Sequence, residues 1–279
     1  MRLSTSALGF LAGIALVFSA TVQAQAREEG RLLIASQVLE ELRNTPDQTI
    51  PDRLLDRAYG IAVIPDLTKV AFFAGGRWGR GVLVVRDSKG QFGNPVFISM
   101  TGGSFGWQWG IQSTDIVLVF TTEKGVRGIS GGKLTLGADA SVAAGPVGRS
   151  ASAATDQSFK AEVYSYSRNR GLFAGVALDG TVISISDSAN EEFYKKSNVS
   201  ASEIINGSVS SQDPAVQRFM AAVATSTGTQ RTASVAGPAP TSAIQASAPA
   251  PVAPAPKGPV SGGAQTFPLA DPAPGQEPK

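Results

Sequence analysis

The spacing of apolar positions changes twice along the chain, and each change predicts a different kind of element. Leu32, Ala35, Leu39 and Leu42 recur at intervals of three and four while Glu40, Glu41 and Arg43 stay polar, which predicts a helix over 27–43. Asn44 and Pro46 end it. Ile50, Leu54 and Leu55 predict a second short helix over 51–58, with Pro51 suited to a first helical position. Strand-like runs come next at Ile61–Ile64 (stopped by Pro65), Lys69–Ala74, Gly81–Arg86, Val96–Met100, Ile116–Phe120, Ala161–Ser167, Leu172–Leu178 and Thr181–Ser186. Val163, Ser165 and Ser167 alternate with Tyr164, Tyr166 and Arg168, the pattern of a sheet with one wet face. Asp179-Gly180 stands between two strand runs as a hairpin signal. Helical patterns return at Glu191–Lys196, Ser200–Asn206 and Pro214–Ala224, the last with Asp213 as its cap. The expected fold is α+β: a mainly antiparallel β-sheet or barrel-like core with N-terminal and C-terminal helices.

Both ends read differently from this middle. Arg2, the apolar stretch Ala7–Ala20 and the small-x-small pattern Ala24-Gln25-Ala26 predict a signal peptide over 1–26. The expected location is therefore outside the cytoplasm, periplasmic or extracellular, peripheral to a membrane. From about 226 to 279 the chain turns to Ala, Pro, Ser, Thr and Gly. Eleven of the seventeen prolines lie at or beyond Pro238, so no apolar period remains to drive folding. A disordered tail or a stiff, polyproline-like spacer is expected there. Residues 27–225 remain as one domain, long enough for a sizeable core.

Composition removes whole classes of chemistry. The chain has no histidine and no cysteine, so the commonest general base, the thiol nucleophile and the thiolate metal site are missing. Disulfides are equally excluded, and stability must come from packing. No paired-carboxylate cluster, calcium loop or nucleophile elbow is evident. Asp115 and Asp139, the carboxylates an enzyme would have to gather, read as turn or capping residues. No catalytic residue, metal site or cofactor is expected. With 24 basic against 22 acidic residues there is no global field to recruit nucleic acid.

Two glycine-rich stretches carry the remaining candidate chemistry. Gly75-Gly76-Arg77-Trp78-Gly79-Arg80-Gly81 lacks the Lys-Ser/Thr ending of a phosphate-binding loop, and it leads into a strand rather than a helix. Its glycines serve turns or close strand approach, or else their amides join Arg77 and Arg80 around an anion. In Gly102-Gly103-Ser104-Phe105-Gly106-Trp107-Gln108-Trp109-Gly110 the residues Phe105, Trp107 and Trp109 alternate. As a strand this has one aromatic face, an interfacial belt or ligand wall; as a helix it would bury its aromatics.

Taken in order, these pieces resemble the SYLF domain family. Ala58-Tyr59-Gly60-Ile61-Ala62-Val63-Ile64-Pro65 is similar to the family's opening segment, and Lys69, Gly75-Gly76, Gly79 and Gly81 are similar to its next block of spaced lysine and glycines. Gly102–Gly110, with Asp115 after it, resembles the G-x-S-x-G-x-Q-x-G block. Leu136–Asp139, Gly145–Arg149, Tyr164–Ser167, Gly171–Gly180, and finally Asn190, Phe193 and Tyr194 resemble its later blocks. The resemblance implies phospholipid binding, including phosphoinositides in eukaryotic members, and actin-filament binding in the yeast branch. It also implies a membrane-binding amphipathic helix, which maps onto 27–43. This chain shows no SH3 or FYVE module, and an exported protein does not meet actin. An anionic phospholipid or membrane surface is therefore the expected partner. Its contacts are expected at Lys69, Arg77, Arg80, Arg86, Phe105, Trp107 and Trp109. The rival reading is a structural or scaffolding envelope protein that uses the core to bind a partner and the tail as a spacer.

Overall fold

The computed structural model describes residues 25–42, 50–147, 160–169 and 172–228, without the side chains of 71–74, 104–111 and 130. The chain divides into two units, Met1–Gly237 and Pro238–Lys279, the second of which lies outside the described residues. So do most of the expected signal peptide and all of the expected tail from 229 onward.

Helix α1 spans 25–42. Leu32, Ala35, Val38, Leu39 and Leu42 are fully buried, so the apolar face read from the sequence packs into the core. Helix α2 (Asp52–Asp56) buries Leu54 and Leu55 as expected.

The sheet is built around two strands far longer than expected: β1 (Gly60–Val85) and β2 (Val96–Phe120). They pair antiparallel from Gly60↔Phe120 to Leu83↔Val96. The sequence pattern breaks β1 into three strands and β2 into two, stopping the first at Pro65 and leaving the Gly102–Gly110 stretch open between strand and helix. Pro65 instead falls in a register shift between Ile64 and Leu67, where its missing N–H removes no ladder bond. A second shift lies between Ala71 and Phe73.

Bulges and glycines let this ribbon bend back on itself. A Cβ on Gly79 would stand 2.8 Å from both Ile64 Cγ2 and Leu67 Cδ1, and one on Gly81 would overlap the Val63 carbonyl oxygen. The two legs of β1 are therefore in direct contact, and only glycine permits that approach. At the base the legs are joined again, since Arg86 N–H donates to the Tyr59 carbonyl at 2.8 Å.

Five short strands complete a seven-stranded, curled sheet. Strand β3 (Lys133–Thr135) pairs with β7 (Val182–Ile185), which pairs with β2 over Ile98–Thr101. Strand β5 (Val163–Asn169) pairs with β2 over Asp115–Phe120. It carries β4 (Val142–Ala144), the one parallel partner among the described strands, and β6 (Leu172–Gly175) on its other edge. Two expectations are corrected here. Asp179-Gly180 does turn the chain, with Gly180 at φ 71°, but β6 pairs with β5 and β7 with β2 and β3, so no hairpin forms. Strand β5 also has no wet face over its first half: Val163, Tyr164, Ser165 and Tyr166 are all buried. Gly145 lies against the Tyr166 ring, whose hydroxyl donates to the Pro146 carbonyl, and the Ser165 hydroxyl sits between the Ala143 and Val176 carbonyls.

Helix α3 (Glu123–Ser130), not expected from sequence, packs on β3 and β7. Helices α4 (Asp187–Tyr194), α5 (Ala201–Ile205) and α6 (Pro214–Ser226) complete the described chain. Asn190 on α4 is fully buried and extends the ladder, accepting from Phe97 N–H at 2.8 Å and donating to the Phe97 carbonyl at 3.1 Å. Asp213 caps α6 as the sequence predicts, accepting from Ala215 N–H at 2.8 Å. Helix α6 is tied to α1 by Arg218–Glu40 at 3.1 Å. The architecture is α+β, with a mainly antiparallel barrel-like sheet between N-terminal and C-terminal helices.

Candidate anion-binding cleft

Strands β5 and β7 pair with β2 at its two ends, which leaves residues 102–114 of β2 with β1 as their only strand partner among the described residues. Beside this gap lies a cleft of about 750 Å³. The ribbon contributes Leu67, Lys69, Arg77, Gly103 and Gln112–Thr114, and the segments around β5 and β6 contribute Ser167, Asn169 and 176–180.

The cleft has an unequal set of polar groups. Arg77 Nε and Nη2 donate to the Gly103 carbonyl at 3.3 and 3.0 Å, which fixes the guanidinium and leaves its remaining donors without a partner among the described residues. Burial pulls the Arg77 pKa below its ordinary value, and Asp179 across the cleft opposes that shift. Lys69 makes no ion pair among the described residues. The nearby hydroxyl donors are already committed: Ser113 to Asp66 at 3.2 Å, Thr114 to the Arg168 carbonyl at 2.8 Å, and Ser167 to the Ala174 carbonyl at 3.3 Å. Their oxygens therefore offer lone pairs only. The hydroxyl of Thr181, fully buried, has no partner among the described residues. A Cβ on Gly102 would stand 3.1 Å from that hydroxyl and 3.3 Å from Arg77 Nε, so both border the same space.

The structure separates the expected basic residues into three places. Lys69 and Arg77 share the cleft. Arg80 is exposed and lies near Arg31 of α1. Arg31 pairs with the buried Glu28, sits 6.0 Å from the Phe97 ring centre, and is pulled down to about 10 by burial and by Arg80. Arg86 is at the far end of β1 and acts as a clamp. Its Nε donates to the Ala58 carbonyl and its Nη1 to the Gly90 carbonyl, both at 2.7 Å, and its guanidinium stacks 4.3 Å above Phe92. Phe105, Trp107 and Trp109 fall on β2 in the bent ribbon, and their side chains lie outside the described residues. Trp78, which sequence reasoning passed over, is 51% exposed on the same ribbon.

The two aspartates considered for catalysis are structural. Asp115 accepts from Asp66 N–H at 3.0 Å and pairs with Arg168 at 2.6 Å; Arg168 also pairs with Glu41 of α1. Asp139 closes a turn by accepting from Thr135 N–H at 2.6 Å. A second cleft of about 540 Å³ lies beside Tyr59, Lys89, Glu123, Arg127 and Asn206. Its Arg127 and Glu123 are spent on each other at 3.0 Å.

A sequence model of the Ysc84 family, described as Las17-binding protein actin regulator, matches residues 101–226. LAS seventeen-binding protein 3 of Saccharomyces cerevisiae is 42% identical over 166 residues, which covers 58% of this chain and 36% of the yeast protein. SH3 domain-containing YSC84-like protein 1 of Xenopus laevis is 34% identical over 181 residues, 63% of this chain and 54% of the frog protein. The human protein of that name is 34% identical over 166 residues, 57% of this chain and 48% of its own length. The chain thus spans about a third to a half of the relatives it matches. These relatives lend no support to the exclusion of actin, which rested on the export pattern alone. Over residues 101–226, from within β2 to the C-terminal helices, the chain matches the Ysc84 (SYLF) domain family.

Proposed function

We propose that this protein is a non-enzymatic binding module for anionic phospholipid at the surface of an envelope membrane, and that the cleft beside the bent ribbon receives the headgroup. The observation that carries this reading is the meeting of Lys69 and Arg77 in one cleft. Two cations with unspent donors suit a phosphate, and the acceptor-only oxygens of Ser113, Thr114 and Ser167 suit hydroxyl groups beside it. The export pattern over 1–26 supports an envelope location. Removal of residues 1–26 leaves the buried part of α1 intact, because its first buried residue is Glu28.

The test is co-sedimentation of the protein with vesicles of phosphatidylcholine alone and with added phosphatidylglycerol. Binding is expected only with the anionic lipid, and it weakens as salt rises. The double substitution Lys69→Gln with Arg77→Gln should reduce binding at least tenfold while leaving the melting temperature unchanged. Absence of co-sedimentation with either vesicle would refute the proposal.

A further inference from the structure

The bent part of the β1–β2 ribbon has a composition unlike the rest of the chain. Over 67–82 and 96–114 there is no aspartate or glutamate, while Lys69, Arg77 and Arg80 are basic. The chain has three tryptophans, and all of them, Trp78, Trp107 and Trp109, fall in this segment with Phe72, Phe73 and Phe105. Among the described residues its central part is paired only within itself: β7 leaves β2 at Thr101 and β5 joins at Asp115. A two-stranded ribbon standing alone is marginal in water, so one rich in aromatic residues calls for a further surface to cover it. Helix α1, the element to which the family resemblance assigns membrane contact, has committed Leu32, Ala35, Val38, Leu39 and Leu42 to the core and leaves only Leu33 and Ile34 as large apolar residues on its exposed side, 39% and 40% exposed.

We infer that the bent ribbon, and not helix α1, is the element that enters the membrane interface. This rests on the lipid-binding reading above and names the structure that makes the contact. Its aromatic residues are of the type that favours the boundary between headgroups and acyl chains, indole above all. Lys69, Arg77 and Arg80 stand on the same ribbon to meet phosphates, and no acidic residue there opposes an anionic surface. Trp78, half exposed beside Arg77, is the described member of that set.

The absence of cysteine makes a clean test possible. A single cysteine is introduced into the full-length protein as Gln108→Cys on the ribbon, Gln37→Cys on the exposed side of α1, or Ser88→Cys in the turn at the opposite end of β1. Each is labelled with an environment-sensitive dye and mixed with phosphatidylglycerol–phosphatidylcholine vesicles, with sedimentation measured on the same samples. A blue shift at position 108, with none at 37 or 88, is the expected result. Trp78→Ala, at an exposed site, should weaken sedimentation severalfold without changing the melting temperature. Sedimentation with a shift at 37 and none at 108 overturns the ribbon assignment and leaves the lipid reading intact. No sedimentation with any labelled protein overturns both. A shift at 108 that grows with protein concentration in the absence of lipid overturns it in favour of a second copy as the ribbon's partner.

Discussion

Gly81 packs against Val63 so closely that a Cβ at position 81 would overlap the Val63 carbonyl oxygen, although both residues belong to the same strand. The obstructing atom is backbone and has no rotamer with which to move aside. Gly81→Ala should therefore destabilise the fold by about 3 kcal/mol or more, the upper end for overpacking. Gly76→Ala is the contrast, because nothing lies within 4 Å of a Cβ there. Thermal denaturation of both variants checks this, and equal melting temperatures would remove the contact between the two legs of β1.

Arg168 joins three parts of the fold, pairing with Asp115 of β2 and Glu41 of α1. The two pairs differ in burial, since the Asp115 side chain is 15% exposed and that of Glu41 is 44%. Asp115→Ala should cost about 2–3 kcal/mol, as for a hydrogen bond to a charged group. Glu41→Ala should cost less than about 1 kcal/mol, since water already screens it. Urea denaturation decides, and the reverse order would show that the α1 contact dominates.

Arg86 donates to two carbonyls and covers the Phe92 ring. Arg86→Ala should lower stability by about 2–3 kcal/mol through the lost hydrogen bonds and stacking, yet leave vesicle binding within twofold of wild type below the melting range. A binding loss matching that of the Lys69/Arg77 double variant would return Arg86 to the lipid-contact set.

The carboxylate of Glu203 is held at a pKa of about 2, first by Lys196 at 2.5 Å and then by Ser200 N–H at 2.9 Å, in the capping box of α5. Its folded value lies below the ordinary glutamate value of about 4.3. The group therefore stabilises the fold fully above that ordinary value, and the contribution fades as the pH falls toward 2. Carboxyl carbon shifts traced by NMR from pH 6 to 2 should place the Glu203 midpoint well below those of other exposed glutamates. Glu203→Gln should flatten the acid limb of the stability profile. An ordinary midpoint for Glu203 would show that the capping box is not formed.

Apart from α3, the helices were legible because their periods and caps are local. Leu32, Ala35, Leu39 and Leu42 report one buried face without reference to anything else, and Asp213-Pro214 marks a helix start by itself. The two long strands were not legible. Pro65 and the glycines at 75, 76, 79 and 81 look like breaks, and only the contact between residues 63–67 and 79–81 shows that they bend one continuous strand. For the same reason Lys69 and Arg77 were readable as candidates but not as a pair, whereas Arg86 looked equivalent to them until its donors were traced to carbonyls. Gly180 signalled a turn correctly. Whether its flanking strands pair with each other depends on β2, far away in the chain, and alternation in β5 misled because Gly145 and Pro146, distant in sequence, pack on Tyr166.

The ladder between β1 and β2 also sets an order of assembly. It starts beside the 86–95 turn with neighbours close in sequence and ends at Gly60↔Phe120, where a long loop must already be closed. Pairing should zip outward from that turn, with the far rungs and the later strands β5 and β7 added at increasing entropic cost. Substitutions near Leu83 and Val96 would then slow folding, while those near Gly60 and Phe120 would chiefly hasten unfolding. A chain stalled halfway would expose the edges of β2 at Ile98–Thr101 and Asp115–Phe120 before β7 and β5 could pair there, which makes these edges the place where misassembly begins.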